Sequence, residues 1–173
     1  MRVLCLLVVS AVCLFGAGEL SGRRAPGFSL PDSTGKQHDP ADFRGKVLIV
    51  DFMQVTCDHC IKFSAILEQA RIRYGDRIAI LSIVNPPSDQ KGVAGYIAKN
   101  MVKSPILFDC GQVAFSYLKP TSPNIAIPHV FLIDGSGMIR NDFGFSAANI
   151  GIFEGKGLFA EIDKMLAGGS PKK

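Results

Sequence analysis

The feature that most restricts the fold is the stretch Val47-Leu48-Ile49-Val50-Asp51-Phe52-Met53-Gln54-Val55-Thr56-Cys57-Asp58-His59-Cys60. An apolar run ends in a short polar link, and the link delivers two cysteines three residues apart. Beyond them Phe63, Ile66, Leu67 and Ala70 repeat at the spacing of one helix face. The cysteines therefore sit where a strand turns into a helix. The first N–H groups of a helix lack intrahelical partners, and the helix dipole places partial positive charge there. A thiolate at Cys57 is stabilised by that end. Cys60, one turn further on, is placed to attack a mixed disulfide formed by Cys57. Spacing and placement together point to dithiol/disulfide exchange.

Two other uses of the pair are open on these grounds. A C-x-x-C can be half of a zinc site, but zinc usually takes four protein ligands. Only Cys110, His38, His59 and His129 remain, and they form no second ligand pair. A purely structural disulfide is the other use, although a helix N-terminus is a poor place for inert cysteines. Haem attachment by C-x-x-C-H is excluded, because Ile61 follows Cys60.

The chain starts as a targeting segment does. Arg2 supplies a positive charge, the fifteen residues from Val3 to Ala17 carry none, and Gly16-Ala17-Gly18 offers small residues for cleavage. A membrane-spanning helix needs about 20 apolar residues, so an uncleaved anchor is the alternative to a signal peptide. Cleavage near residue 18 removes Cys5 and Cys13 and leaves Cys57, Cys60 and Cys110. Export would place the protein where disulfides persist, in the periplasm or another extracytoplasmic space. The formal charge of +4 is small and scattered, which speaks against nucleic acid as a partner. The expected division is a signal peptide at 1–18, a linker at 19–27, one domain at 28–168 and a flexible tail at 169–173.

Within the domain, Pro31-Asp32-Ser33-Thr34-Gly35-Lys36 predicts a small hairpin, and Asp39-Pro40 a capped helical turn. Val47–Met53 is a central strand. The first helix ends near Tyr74-Gly75. Ile78–Val84 is a second strand, and Ser88 is a candidate cap for a helix running to about Met101. Pro105–Phe108 is a short strand and Cys110–Leu118 a short helix, with Cys110 expected as a small buried hydrophobe. His129–Asp134 and Met138–Phe143 pair around Gly135-Ser136-Gly137. A last helix covers about Gly157–Leu166. Alternating strands and helices with a closing hairpin predict an α/β fold, a central mixed sheet flanked by helices.

This order, with Ile127-Pro128 ahead of a strand, resembles the thioredoxin superfamily over about residues 26–168. Ala25-Pro26-Gly27-Phe28-Ser29-Leu30-Pro31-Asp32, Gly35-Lys36, Phe43-Arg44-Gly45-Lys46-Val47 and Val130-Phe131-Leu132-Ile133-Asp134-Gly135-Ser136-Gly137 are similar to its TlpA-like (redoxin) branch. Those bacterial envelope proteins are exported thiol–disulfide oxidoreductases, many of them reductants. The resemblance implies a thioredoxin-like fold with an N-terminal β-hairpin extension. It implies a redox-active disulfide, with Cys57 the exposed nucleophile and Cys60 the buried resolving cysteine. It makes Asp51 the acid that moves the resolving thiol's proton, a detail closer to thioredoxin than to TlpA-like proteins. Pro128 matches the cis-proline facing the disulfide. Ile127, His129, Asp58 and His59 then join it as substrate-contacting positions.

Two departures bear on partner choice. Thr56 stands where the family usually has an aromatic residue, and the chain has no Trp. His129 stands where Thr is common. The Lys119–Ala126 loop is longer than usual and would lie near the site. A cationic His59 would favour the reduced form and Asp58 oppose it, so the expected potential lies between about −270 and about −120 mV. No metal or organic cofactor is required. The expected partners are client protein thiols or disulfides and a redox protein that resets the pair, with the chain itself a monomer. The expected role is that of a reductant or an isomerase-like exchanger. The competing functions are a thiol peroxidase and a non-catalytic redox or metal-binding module. Peroxiredoxins carry Thr or Ser three residues before the reactive cysteine and Pro seven before it, where this chain has Gln54 and Val50.

Overall fold

The computed structural model describes residues 20–120 and 126–168. The expected signal peptide, the tail and most of the Lys119–Ala126 loop lie outside these residues. In chain order the elements are β1 (Leu30–Pro31), β2 (Gln37–His38), β3 (Val47–Met53), α1 (Asp58–Tyr74), β4 (Ile78–Val84) and α2 (Gln90–Asn100). There follow β5 (Ile106–Phe108), α3 (Gln112–Leu118), β6 (His129–Ile133), β7 (Ile139–Gly144), α4 (Ile150–Phe153) and α5 (Lys156–Gly168).

The strands form a five-stranded mixed sheet in the order β5-β4-β3-β6-β7 and a separate β1-β2 hairpin. β3, β4 and β5 are parallel, as their helical crossovers require, whereas β6 and β7 are antiparallel to their neighbours. All seven residues of β3 are buried, because β4 and β6 flank it and helices cover both faces.

The strand alternation divides the core. Val47 and Ile49 pack with Val130 and Leu132 against Phe63 and Leu67 of α1 and Leu158 and Ile162 of α5. Leu48, Val50 and Phe52 pack on the other face with Phe131 and with Tyr117 of α3. Asp51 thus falls on the α1 face, between Ile49 and Met53, and Ser82 lies opposite it in the β3–β4 register.

Three local expectations change. Residues 20–27 are not a free linker. Arg24 bridges Met138, the Gly22 N–H donates to the Ile139 carbonyl, and Ser21 Oγ donates to Asp142 at 2.7 Å. An unpaired sheet edge at β7 is what captures this segment. The cap of α2 is Asp89, not Ser88, with its carboxylate accepting from the Gly92 N–H at 2.7 Å. Cys110 is exposed, because the buried place belongs to Asp109, which accepts from Val113 N and Ala114 N at the start of α3. The short helix α4 had no periodic signal of its own.

Candidate active site

Cys57 is the N-cap of α1, with extended backbone (φ −89°, ψ 115°), and its sulfur accepts from the Cys60 N–H at 3.2 Å. The helix continues for 17 residues because its apolar stripe meets the sheet and Gly75 (φ 54°) ends it. Cys57 and Cys60 are joined in a disulfide, with Cα atoms 5.2 Å apart. Their environments are unequal. Cys57 is half-buried at the surface, whereas Cys60 is fully buried among Met53, Val84 and Tyr96. Only the first sulfur is open to an incoming thiolate.

Ile127–Pro128 is a cis peptide. His129 pairs with Phe52 in the β3–β6 register, which sets Pro128 beside the end of β3, where the cysteine loop leaves. Ile127 packs against the same apolar cluster as Cys57. The structure therefore brings Cys57, Cys60, Ile127 and Pro128 together. Asp58 and His59 are exposed in the first turn of α1.

His129 is otherwise engaged. Its ring stacks on Phe131 at 4.8 Å, on the face away from α1, and Nε2 lies 3.3 Å from Asp142 Oδ2. Burial pushes the Asp142 carboxyl up, but hydrogen bonds from His129, Ser21 and the Leu20 N–H outweigh this and hold it below its usual value.

Asp51 is wholly buried, and among the described residues neither carboxylate oxygen has a hydrogen-bond partner. Desolvation pushes its pKa from 3.8 up to about 8. The Ser82 hydroxyl across the sheet pulls weakly the other way, without reaching hydrogen-bond geometry. Such a carboxyl can exchange a proton with a thiol near neutral pH.

Two contributors were not legible in the sequence. Phe145 stacks on His59 with ring centroids 4.1 Å apart. Tyr96 donates its hydroxyl to Ser64 Oγ at 2.6 Å, one helical turn beyond Cys60, and joins Cys60 in one apolar cluster from α2. Both pairs join residues far apart in the chain, and no spacing rule finds them.

Asp58 is an exposed carboxylate next to Cys57 in the first turn of α1. An Asp58→Asn variant is expected to be more oxidising, because the removed charge repels a Cys57 thiolate. A charge at an exposed helix terminus is worth about 0.3–1 kcal/mol, and 30 mV corresponds to about 1.4 kcal/mol. The expected rise is therefore on the order of 10 mV, read by equilibration in glutathione buffers; a fall would show that Asp58 does not oppose the Cys57 thiolate.

A disulfide with one half-exposed and one buried sulfur, beside a cis-proline on this five-stranded sheet, defines a thioredoxin-like thiol–disulfide oxidoreductase. Residues 21–142 match the AhpC/TSA family, and the chain belongs to that family. It is 24% identical over 127 residues to the thioredoxin-like protein YneN of Bacillus subtilis, covering 72% of this chain and 71% of that one. It is 25% identical over 118 residues to the thiol-disulfide oxidoreductase ResA of Bacillus thuringiensis, covering 68% and 66% of the two chains. Among solved structures, a putative protein disulfide isomerase from Bacteroides thetaiotaomicron superposes with a TM-score of 0.71. That pair shares 23% identity over 85% of this chain and 90% of the other.

Proposed function

We propose that the protein is an exported thiol–disulfide oxidoreductase that exchanges the Cys57–Cys60 pair with client protein thiols, as a reductant or isomerase-like exchanger. The observation that carries this reading is the asymmetry of the pair, one sulfur reachable and the other enclosed. In the reduced protein the Cys57 thiolate attacks a client disulfide. One client sulfur leaves as a thiolate and takes up a proton, and a Cys57–client disulfide forms. The Cys60 thiol then gives its proton to Asp51 in its ionised form, a minority of the folded chains near neutral pH. Its thiolate attacks Cys57 Sγ, closes the Cys57–Cys60 disulfide and releases the second client thiol, which is protonated in turn. Two electrons and two protons pass to the client. A reductant of the dithiol class must reset the pair.

Pro128 and the backbone of Ile127 border the exposed sulfur and offer an extended client segment a place to lie. Asp58 and His59, exposed beside it, would set charge preference, and His59 is held by Phe145. The apolar N-terminal segment and the likeness to ResA support an extracytoplasmic location. Among the described residues no helix is long and apolar enough to cross a membrane.

The deciding experiment is the reduction potential of the pair. A value between those of thioredoxin and the strong periplasmic oxidant agrees with the proposal. Thiols that never pair with each other in any glutathione or dithiothreitol buffer would overturn it. The peroxidase reading keeps a place because the AhpC/TSA match extends to residue 142. With Gln54 and Val50 at the signature positions, the reduced protein is expected to consume hydrogen peroxide no faster than free dithiothreitol. A faster turnover would favour the peroxidase.

A further inference from the structure

At the end of the sheet where β3 and β4 begin, the surface opens into a cavity of about 380 Å³. The disulfide lies past the other end of β3, and seven residues of strand, about 20 Å, separate the two places. The cavity volume lies in the range of small-molecule sites. Phe43 and Ile78 give it an apolar floor.

The rim is cationic. Lys36 reaches it from the β1-β2 hairpin, Lys46 from the residue before β3 and Lys103 from the approach to β5. Among the described residues none of the three has an ion-pair partner. Arg71 also lines the cavity, but Glu68 holds its Nε at 2.7 Å. Asp76 is the one carboxylate in the lining. Ser104 completes the wall. It is buried, with its hydroxyl beside the Glu68 carboxylate. Glu68 accepts the backbone N–H groups of Lys103 and Ser104 at 3.0 and 2.8 Å, which pins this wall in place.

Three unpaired ammonium groups around one cavity repel each other, and folding alone gives no reason to gather them. One bound anion offsets that repulsion. Lysines act on phosphate as point charges and need no fixed fork geometry.

We propose that this cavity binds a phosphate ester that carries an apolar group. The phosphate sits among Lys36, Lys46 and Lys103, and the apolar part rests on Phe43 and Ile78. The same chemistry is offered by a soluble phosphate ester and by a phospholipid headgroup. The hairpin that extends the core supplies one wall, so the site is absent from a sheet and helices alone.

Titration calorimetry of the full chain tests this, with phenyl phosphate and inorganic phosphate as soluble probes. Phosphatidylcholine vesicles with and without phosphatidic acid form the second arm. Phenyl phosphate is expected to saturate one site, to bind severalfold tighter than inorganic phosphate, and to weaken as ionic strength rises. A Lys46→Glu/Lys103→Glu variant, altered at positions that are not buried, is expected to keep its melting temperature and lose the binding. Saturation by phenyl phosphate without vesicle binding assigns a soluble ester. Binding only to vesicles that contain phosphatidic acid, lost in the same variant, assigns a headgroup. The proposal is overturned if neither phenyl phosphate nor the vesicles with phosphatidic acid bind, or if the variant binds as well as the parent. A Cys57→Ser chain is expected to give the same affinity, so failure here and failure of the redox reading are read separately.

Discussion

A Cys57→Ser variant is expected to reduce no client disulfide above the background rate of free dithiothreitol, while its melting temperature changes little. Cys57 is the half-exposed member of the pair, and no other described cysteine lies at the end of a helix with its sulfur accepting a helical N–H. Loss of the nucleophile leaves nothing to form the covalent intermediate. Cys60→Ser has a different outcome. Cys57 still attacks, but resolution by an enclosed thiolate is gone, so a mixed disulfide accumulates in stoichiometric amount and is visible by non-reducing electrophoresis or intact mass. If the trapped adduct forms through Cys60 in the Cys57→Ser chain and not through Cys57 in the Cys60→Ser chain, the assignment of roles is reversed. Cys110 is exposed as well, so both experiments are run with Cys110→Ala in the background.

The Asp51→Asn variant is expected to slow resolution of the mixed disulfide by on the order of 10²-fold, the usual worth of a positioned proton acceptor. It also changes how stability depends on pH. The free carboxyl ionises near 3.8 and the buried one near 8. Between these values the folded chain holds a proton that the unfolded chain has lost. The contribution is thus fully present below about pH 4 and falls as pH rises through 8. The steepest slope is about 1.4 kcal/mol per pH unit. Asn cannot ionise, so the variant is expected to show a flatter stability profile from pH 5 to 8 and to exceed the parent at the alkaline end. Denaturant unfolding at several pH values reads this directly. An unchanged slope would show that Asp51 is ionised in the folded protein. The window is separate from that of Asp134. Its carboxyl, despite partial burial, is held at about 2 by hydrogen bonds from Ser136, Met138 and Arg140, so its contribution is lost only below about pH 4.

Much of the fold was legible. β3, β4 and β6 are apolar runs that a buried strand requires, and the stripe Phe63, Ile66, Leu67 and Ala70 marks the covered face of α1. The turn Gly135-Ser136-Gly137 announces the β6-β7 hairpin, and its last glycine has φ 83°. The redox pair was legible for the same reason, since spacing along one helix fixes its geometry locally. What failed to show were features set by packing between distant segments. Cys110 reads as apolar by type, yet the chain turns it outward at Gly111 (φ 109°) and buries Asp109 as a cap. Residues 20–27 read as a linker by composition, yet the open edge of β7 gathers them in.

By itself the sequence determined an α/β chain with a disulfide-forming pair at a helix start, because periodicity, capping and the reach of one helical turn are local properties. Only the tertiary structure decided how far burial raises Asp51 and that Phe145 lies on His59. It alone gathered Lys36, Lys46 and Lys103 around one cavity. These outcomes depend on dielectric environment and on contacts between residues tens of positions apart, and both come into being only when the sheet and helices close on each other.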